Sequence, residues 1–198
     1  MTSIITGDII KSRKVAPPKW LDDLQQLLSE LGGAFEIYRG DEFQLEVKPE
    51  NALNSAIKIK ALMRKLGLDV RMSIGFGDKT YVGKTLSQSN GSAFLRSGEL
   101  FETLKKQKIN LAVESGSDAF DREINLMLKL SLSIMDHWLA QSAEYVLLAL
   151  EYGDLSQEEL GQKLGINQAA VSRRRKRAYF DLIIELETYF RKRIKELS

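Results

Sequence analysis

The hydrophobic pattern of this chain changes character once, near residue 115, and that change limits the possible folds more than any other feature. Before it, short runs of alternating apolar residues, typical of strands, are separated by amphipathic segments with a helical period. After it, the apolar residues keep helical spacing to the end of the chain. The sequence therefore predicts an α+β protein in which a mixed half precedes an all-α half.

The first half carries the element order of a ferredoxin-like split βαβ sheet, with one more helix and strand after it. We expect its helices to cover one face of that sheet. The predicted segments are a strand at Ser3–Ile10, a helix at Trp20–Leu31, a hairpin within Ala34–Val47, a helix at Asn51–Leu66, a strand at Asp69–Gly77, a helix at Ser92–Lys105 and a strand at Ile109–Val113.

A joint between the two halves is predicted at Gly116, which lies between two serines. We divide the chain into an α/β domain over residues 1–115, a connecting helix over 116–137 and a helix-turn-helix domain over 138–198.

Composition excludes several classes of site. The 198 residues contain no Cys and one His, which rules out disulfides, thiolate zinc sites, Cys nucleophiles and His-rich metal sites. No apolar run approaches the roughly 20 residues of a membrane span, and the first residues lack a secretory pattern, so we expect a cytoplasmic protein without membrane contact. A net charge of +2 does not by itself imply nucleic-acid binding.

Three acidic residues are the candidates for chemistry in the first half. Asp8 ends the first strand, and Asp41 and Glu42 occupy the hairpin turn. The topology places the hairpin beside the first strand, so these carboxylates can converge and bind Mg²⁺ together with nucleotide phosphates. The alternative is that Asp8 and Asp41 are turn residues that hydrogen-bond to backbone.

The segment Tyr38–Phe43 resembles the Gly-Gly-Asp-Glu-Phe hairpin of diguanylate cyclases, and Ser73–Gly75 resembles the following strand of that family and of class III nucleotide cyclases. The resemblance covers about the first 115 residues and implies a nucleotide-cyclase-like fold. It also implies a Mg²⁺ site with Asp8, Asp41 and the Ile9 carbonyl as ligands, and with Glu42 as an auxiliary acid.

The segments GDIIKSR, YRGDEFQ, SIGFGD and SNGSAFLRSGE, with the C-terminal helices, resemble the SatD family along nearly the whole chain. A polar, Gly-broken loop before a helix can present free N–H groups to a phosphate, with an arginine one turn later. An ordinary helix cap by Asn90 or Ser92 explains the same residues equally well. The candidate nucleotide-binding residues are Arg13, Asn90, Ser92 and Arg96.

A helix-turn-helix is predicted after Leu155. Ser156 and Glu159 form a capping-box pattern, Gly165 ends that helix, and a basic helix follows. If this basic helix lies in the major groove of DNA, the residues near its N-terminus would reach base edges, and the basic residues further along would contact phosphates. The candidate DNA-binding residues are Gln168, Ser172, Arg173, Arg174, Lys176 and Arg177. A solvated basic face is the alternative.

The last helix carries an apolar stripe that either pairs two subunits or packs against the helix holding Leu147–Leu150. Together these patterns predict a homodimeric transcriptional regulator in which a nucleotide- and metal-binding domain controls a DNA-binding domain. Two other hypotheses remain: an active Mg²⁺-dependent nucleotidyl cyclase, and a catalytically inactive dimerisation scaffold. The stripe consists of Phe180, Ile183, Ile184, Phe190, Ile194 and Leu197.

Overall fold

The computed structural model describes residues 1–12, 17–38 and 40–197, and it is a mixed α+β fold. Within these residues lie five strands and eight α-helices. The strands are β1 (Thr2–Ile10), β2 (Phe35–Tyr38), β3 (Glu42–Val47), β4 (Asp69–Gly77) and β5 (Leu111–Glu114). The helices are α1 (Pro17–Glu30), α2 (Ala52–Lys65), α3 (Ser92–Gln107), α4 (Asp118–Met135), α5 (Ala140–Glu151), α6 (Gln157–Leu164), α7 (Gln168–Ala178) and α8 (Phe180–Lys195).

The strands form one sheet in the order β2-β3-β1-β4-β5, with β1 at its centre. β1 pairs antiparallel with both β3 and β4, and β5 extends the sheet by pairing parallel with β4. The first four strands therefore have the split βαβ topology that the sequence predicts. In this register Asp8 lies opposite Glu42 on one side and Arg71 on the other.

The two faces of the sheet differ in chemistry because neighbouring residues of a strand point to opposite sides. One face carries apolar side chains such as Ile5 and Ile74, which are buried in the main core together with side chains of α1 and α2. The other face carries Thr6, Ser73 and Gly75 and is covered by α3. A Cβ on Gly75 would lie 2.3 Å from the carbonyl oxygen of Ala93 in α3.

Helices therefore cover both faces, and the expectation that they cover one face is wrong. The second layer depends on Gly75, because the absence of a side chain lets the backbone of α3 approach β4.

The helical half shares its hydrophobic core with the sheet. The ring of Phe76 on β4 lies 6.4 Å from that of Phe120 on α4 and 6.0 Å from that of Phe190 on α8, measured between centroids. Trp138 Nε1 donates a 3.0 Å hydrogen bond to the carbonyl of Ala178, which joins the segment just after α4 to the end of α7. The division into domains stays a prediction.

The apolar stripe of α8 is used within the same chain. Phe180, Ile183, Phe190 and Ile194 are buried there, and the ring of Phe180 lies 5.4 Å from that of Tyr145 on α5. Of the two alternatives for this stripe, packing inside the chain is the one observed. Among the described residues, no helix combines the length and the apolar character needed to cross a bilayer.

Candidate functional sites

The end of β1 and the hairpin between β2 and β3 bring Asp8 and Asp41 to the same depression, which has a volume of about 480 Å³. The backbone holds them there, since Ile9 N donates a 3.0 Å hydrogen bond to the Asp41 carbonyl. Ile9 itself lines the depression, as do Ser12 and Arg71. The structure thus places the three predicted metal-binding residues at one site.

Asp8 is the electrostatically unusual residue of this depression. Its side chain is 22% exposed, and its Oδ1 accepts no hydrogen bond. The nearest cation is Arg71, whose Nη1 lies 3.8 Å from that oxygen. Burial raises the pKa of Asp8. The negative charges of Asp41 and Glu42 raise it further, whereas the positive charges of Arg71 and Lys105 lower it. Asp8 therefore has unused capacity to accept a hydrogen bond or to coordinate a cation.

Two cations near the carboxylates were not predicted from the sequence. Arg71 Nε donates to the carbonyl of Ile109 at 3.2 Å, which holds its guanidinium beside Asp8. Lys105 Nζ lies 3.3 Å from Glu42 Oε1 and 3.2 Å from Glu102 Oε1. In the sequence, Arg71 is only a polar residue of a predicted strand. Its position beside Asp8 follows from the register in which β4 pairs with β1.

The donor set at the depression fits Mg²⁺ when part of the coordination comes from elsewhere. Two carboxylates and one carbonyl leave room for phosphate oxygens and water, which is a common arrangement for this ion. Within residues 1–12, 17–38 and 40–197, no group of three or more His, Asp or Glu side chains is arranged to hold a metal ion. Asp41 Oδ2 also accepts a 2.9 Å hydrogen bond from Ser12 Oγ. Arg13 lies outside the described residues.

The predicted phosphate loop lies at the opposite end of β4. Asn90 Oδ1 accepts from Gly91 N at 2.7 Å, and Ser92 Oγ accepts from Asp78 N at 2.8 Å. Arg96 Nη1 donates to the carbonyl of Phe76 at 2.6 Å. All three side chains therefore form hydrogen bonds within the fold.

This loop and the acidic depression do not form one site. Phe76 is five residues from Arg71 along extended strand, or about 17 Å. The alternative, a helix cap by the side chain of Asn90 or Ser92, is not observed either, because the N-cap residue of α3 is Gly91 and no side chain forms a capping hydrogen bond there.

The α6–α7 turn is built by local hydrogen bonds that the sequence encodes. Ser156 and Glu159 form both bonds of a capping box at the start of α6. Gly165 ends α6 with a φ of +64°, and Asn167 Oδ1 accepts from Ala170 N at 2.9 Å to cap α7. A Cβ on Gly161 would lie 2.7 Å from the Ile166 carbonyl, so the glycine allows the two helices to approach closely.

The basic run of α7 is divided between the interior and the surface. Arg174 Nη1 lies 2.9 Å from Glu144 Oε2 on α5, and its side chain is only 15% exposed. Arg175 pairs with Asp181 at 2.6 Å and stacks over the Phe180 ring at 5.8 Å. The exposed side of α7 carries the remaining candidates, Gln168, Ser172, Arg173, Lys176 and Arg177.

Arg174 was assigned to phosphate contact from the sequence, but it does not lie on this exposed side. It points toward α5 because its helical position coincides with the side of α7 that carries buried Val171 and Ala178.

Comparisons with known proteins give a family. A search of curated proteins found no match. Two solved structures, both bacterial light-regulated adenylyl cyclases, share 15% identity with this chain and cover 57% of it, with TM-scores of 0.43 and 0.41. The matching region spans 42% of each cyclase chain. The sequence model of the SatD family matches residues 3–196. This chain belongs to the SatD family.

Proposed function

We propose that this protein binds duplex DNA through the exposed side of α7 and acts as a transcriptional regulator. The observation that carries the proposal is the division of the basic run. Arg174 and Arg175 pair with acidic side chains of the chain itself, whereas Arg173, Lys176 and Arg177 are exposed. Within the described part of the chain, none of these three forms an ion pair, so they keep their charge available for an external polyanion.

The arrangement of the exposed side fits a helix in the major groove. Gln168 and Ser172 lie one turn apart near the N-terminus of α7, where side chains reach base edges. Lys176 and Arg177 lie further along, where contacts to phosphates are expected. The fixed turn before α7 supports this use, because base recognition needs a helix that is held rigidly.

Selection of bound sequences from a random duplex library tests the proposal. We expect enrichment of a defined site, and we expect Gln168→Ala or Ser172→Ala to change the preferred bases at a cost of about 1–3 kcal/mol for each lost base contact. Exposed Gln107→Ala on α3 serves as the matched control and should leave the preference unchanged. Binding with no enrichment would contradict sequence-specific regulation.

The acidic depression supports a second function, the binding of a nucleotide with Mg²⁺. The supporting observation is the buried Oδ1 of Asp8, which has no hydrogen-bond partner and lies in the same depression as Asp41. A bound Mg²⁺ would neutralise phosphate charge there. Bound nucleotide could regulate DNA affinity only if it contacts two arrangements of the protein differently. Conversion of a nucleoside triphosphate to a cyclic nucleotide and pyrophosphate would instead make the protein a nucleotidyl cyclase.

Calorimetric titration with each nucleoside triphosphate and Mg²⁺ or Mn²⁺, followed by product analysis, tests this second function. Asp8→Asn and Asp41→Asn should each abolish metal-dependent binding. Exposed Asp22→Asn on α1 removes the same charge elsewhere and should have no effect. Unchanged affinity in the Asp8→Asn/Asp41→Asn double variant would leave this domain as a scaffold.

A further inference from the structure

A single residue, Tyr179, joins α7 to α8, and its backbone lies in the left-handed region with a φ of +50°. Its N–H donates to the Lys176 carbonyl at 3.1 Å, which ends α7, and its carbonyl accepts from Ile183 N at 3.2 Å, which begins α8. Glycine adopts this conformation freely, whereas a residue with a Cβ adopts it at a cost. Backbone strain of this kind is concentrated at functional positions.

The side chain of Tyr179 is not used by the fold. It is 55% exposed, and within the part of the chain that the structure describes its hydroxyl forms no hydrogen bond. The exposed Tyr189 differs, because its hydroxyl donates to Glu123. The hydroxyl of Tyr179 is therefore available to an acceptor outside the chain.

Helical spacing places Tyr179 on the exposed side of α7. It follows Ser172 by seven residues and Gln168 by eleven, which are close to two and three turns. Lys176 lies one turn before it. Tyr179 thus continues the line of candidate DNA contacts beyond the last turn of α7.

The length of α7 indicates what Tyr179 can reach. Eleven residues of helix rise about 16 Å, whereas the major groove is about 12 Å wide. When Gln168 meets base edges, the far end of α7 lies beyond the groove, beside the phosphates that border it. Tyrosine hydroxyls are ordinary donors to phosphate oxygens.

We infer that Tyr179 is a DNA-contact residue whose hydroxyl donates a hydrogen bond to a backbone phosphate. The inference rests on the proposed binding of DNA through α7. The nearest acid along the chain, Asp181, pairs with Arg175 at 2.6 Å, so its charge is compensated beside the contact. Because tyrosine is neutral, this contact releases no counterion and should add affinity without adding salt dependence.

Titration of a labelled duplex at several salt concentrations, followed by fluorescence anisotropy, tests the inference. Tyr179→Phe keeps the ring and removes only the free hydroxyl, so its urea unfolding should match that of the wild type. We expect its dissociation constant to rise about tenfold on selected and random duplexes alike, with an unchanged salt slope. Tyr81→Phe, at a tyrosine 61% exposed after β4, is the matched control and should bind as the wild type does.

An arginine at the same position gives a second test. Tyr179→Arg supplies both a donor and a charge, so we expect affinity at least equal to that of the wild type and a salt slope steeper by about one unit. Tyr81→Arg adds the same charge elsewhere and should leave the slope unchanged.

Two outcomes would overturn the inference while the wild type still binds DNA. One is wild-type affinity in Tyr179→Phe, and the other is a wild-type salt slope in Tyr179→Arg. A wild type without affinity for any duplex would instead contradict the proposed function, and the inference would fall with it.

Discussion

Lys60 on α2 is a charged residue in the interior, with 1% of its side chain exposed. Its Nζ lies 2.5 Å from Asp69 Oδ1 at the start of β4 and also pairs with Asp136 after α4. Asn110 donates to the other oxygen of Asp136 at 3.0 Å. One buried cation therefore joins a helix and a strand of the sheet half to the end of α4.

Removing the positive charge of Lys60 should destabilise the folded protein. Lys60→Met leaves the carboxylates of Asp69 and Asp136 close together without the buried cation between them, and we expect it to lower the free energy of unfolding by about 3–5 kcal/mol. Urea unfolding measures the loss. Lys58→Met, on the same helix at a lysine without an ion pair among the described residues, is the control and should stay within about 0.5 kcal/mol. A Lys60→Met variant as stable as the wild type would show that the charge network contributes nothing.

Glu114, at the end of β5, allows a test by pH. Burial raises its pKa above the ordinary value of 4.5, and the nearby carboxylate of Asp121 raises it further. The folded state thus holds this proton more tightly than the unfolded chain, so wild-type stability falls as pH rises through the raised pKa.

Replacing Glu114 by Gln removes the charge that is unfavourable at neutral pH. We expect Glu114→Gln to be more stable than the wild type at pH 7, and we expect this gain to disappear as pH falls toward 4.5. Thermal unfolding at several pH values measures the effect, with exposed Glu99→Gln as the control. A gain that is independent of pH would contradict the assigned cause.

Individual site residues were predictable from the sequence only in part. Asp8 and Asp41 could be placed together because the element order determines which strand lies beside which. Arg71 and Lys105 could not, because their approach to the carboxylates depends on the register of β4 and the position of α3. Arg174 was misplaced because a run of five cations does not reveal which of them face a neighbouring helix.

At the scale of elements, the α6–α7 pair depends on a close approach at Gly161. A Cβ there would lie 2.7 Å from the Ile166 carbonyl and 3.3 Å from Val171 Cγ2. The first contact is to backbone, which cannot move without opening the turn. The turn itself was predictable because its signals are local: the capping box, Gly165 and Asn167.

Gly161→Ala should therefore destabilise the protein by about 1–3 kcal/mol, despite the better helix propensity of alanine. Gly98→Ala on α3 is the matched control, because no atom lies within 4 Å of its added Cβ. That control should be neutral or should stabilise by about 0.5–1 kcal/mol. Denaturant unfolding of both variants separates steric conflict from propensity, and equal effects would remove the packing argument.

The position of α3 could not be predicted in the same way. Its amphipathic pattern predicts a helix, and Thr6 and Ser73 form hydrogen bonds with Ser97 of that helix. The close approach of α3 to the sheet is, however, a contact between backbones at Gly75. A pattern of side chains carries no signal for such a contact.

At the scale of the whole molecule, the sheet half and the helical half share one hydrophobic core. The change of periodicity near residue 115 suggests two domains, but it does not reveal that Phe76, Phe120 and Phe190 pack together across that boundary. Because the core is continuous, we expect the halves to unfold in one cooperative transition.

The two tryptophans report on the two halves separately. Trp20 is buried in α1 and Trp138 is buried beside the end of α7. Each of the variants Trp20→Phe and Trp138→Phe keeps one tryptophan. In each variant, we expect the fluorescence of that tryptophan and the far-UV circular dichroism to give the same urea midpoint. Midpoints that differ between the two probes would show that the halves unfold independently.

The salt dependence of DNA affinity tests the central claim most directly. Each lost phosphate contact should reduce the slope of log affinity against log salt by about one unit. Lys176→Ala/Arg177→Ala should therefore flatten the slope by about two units. Lys106→Ala/Lys108→Ala removes the same charge from an exposed segment at the end of α3, and its slope should match the wild type. Equal slopes for all three proteins would contradict DNA binding through α7.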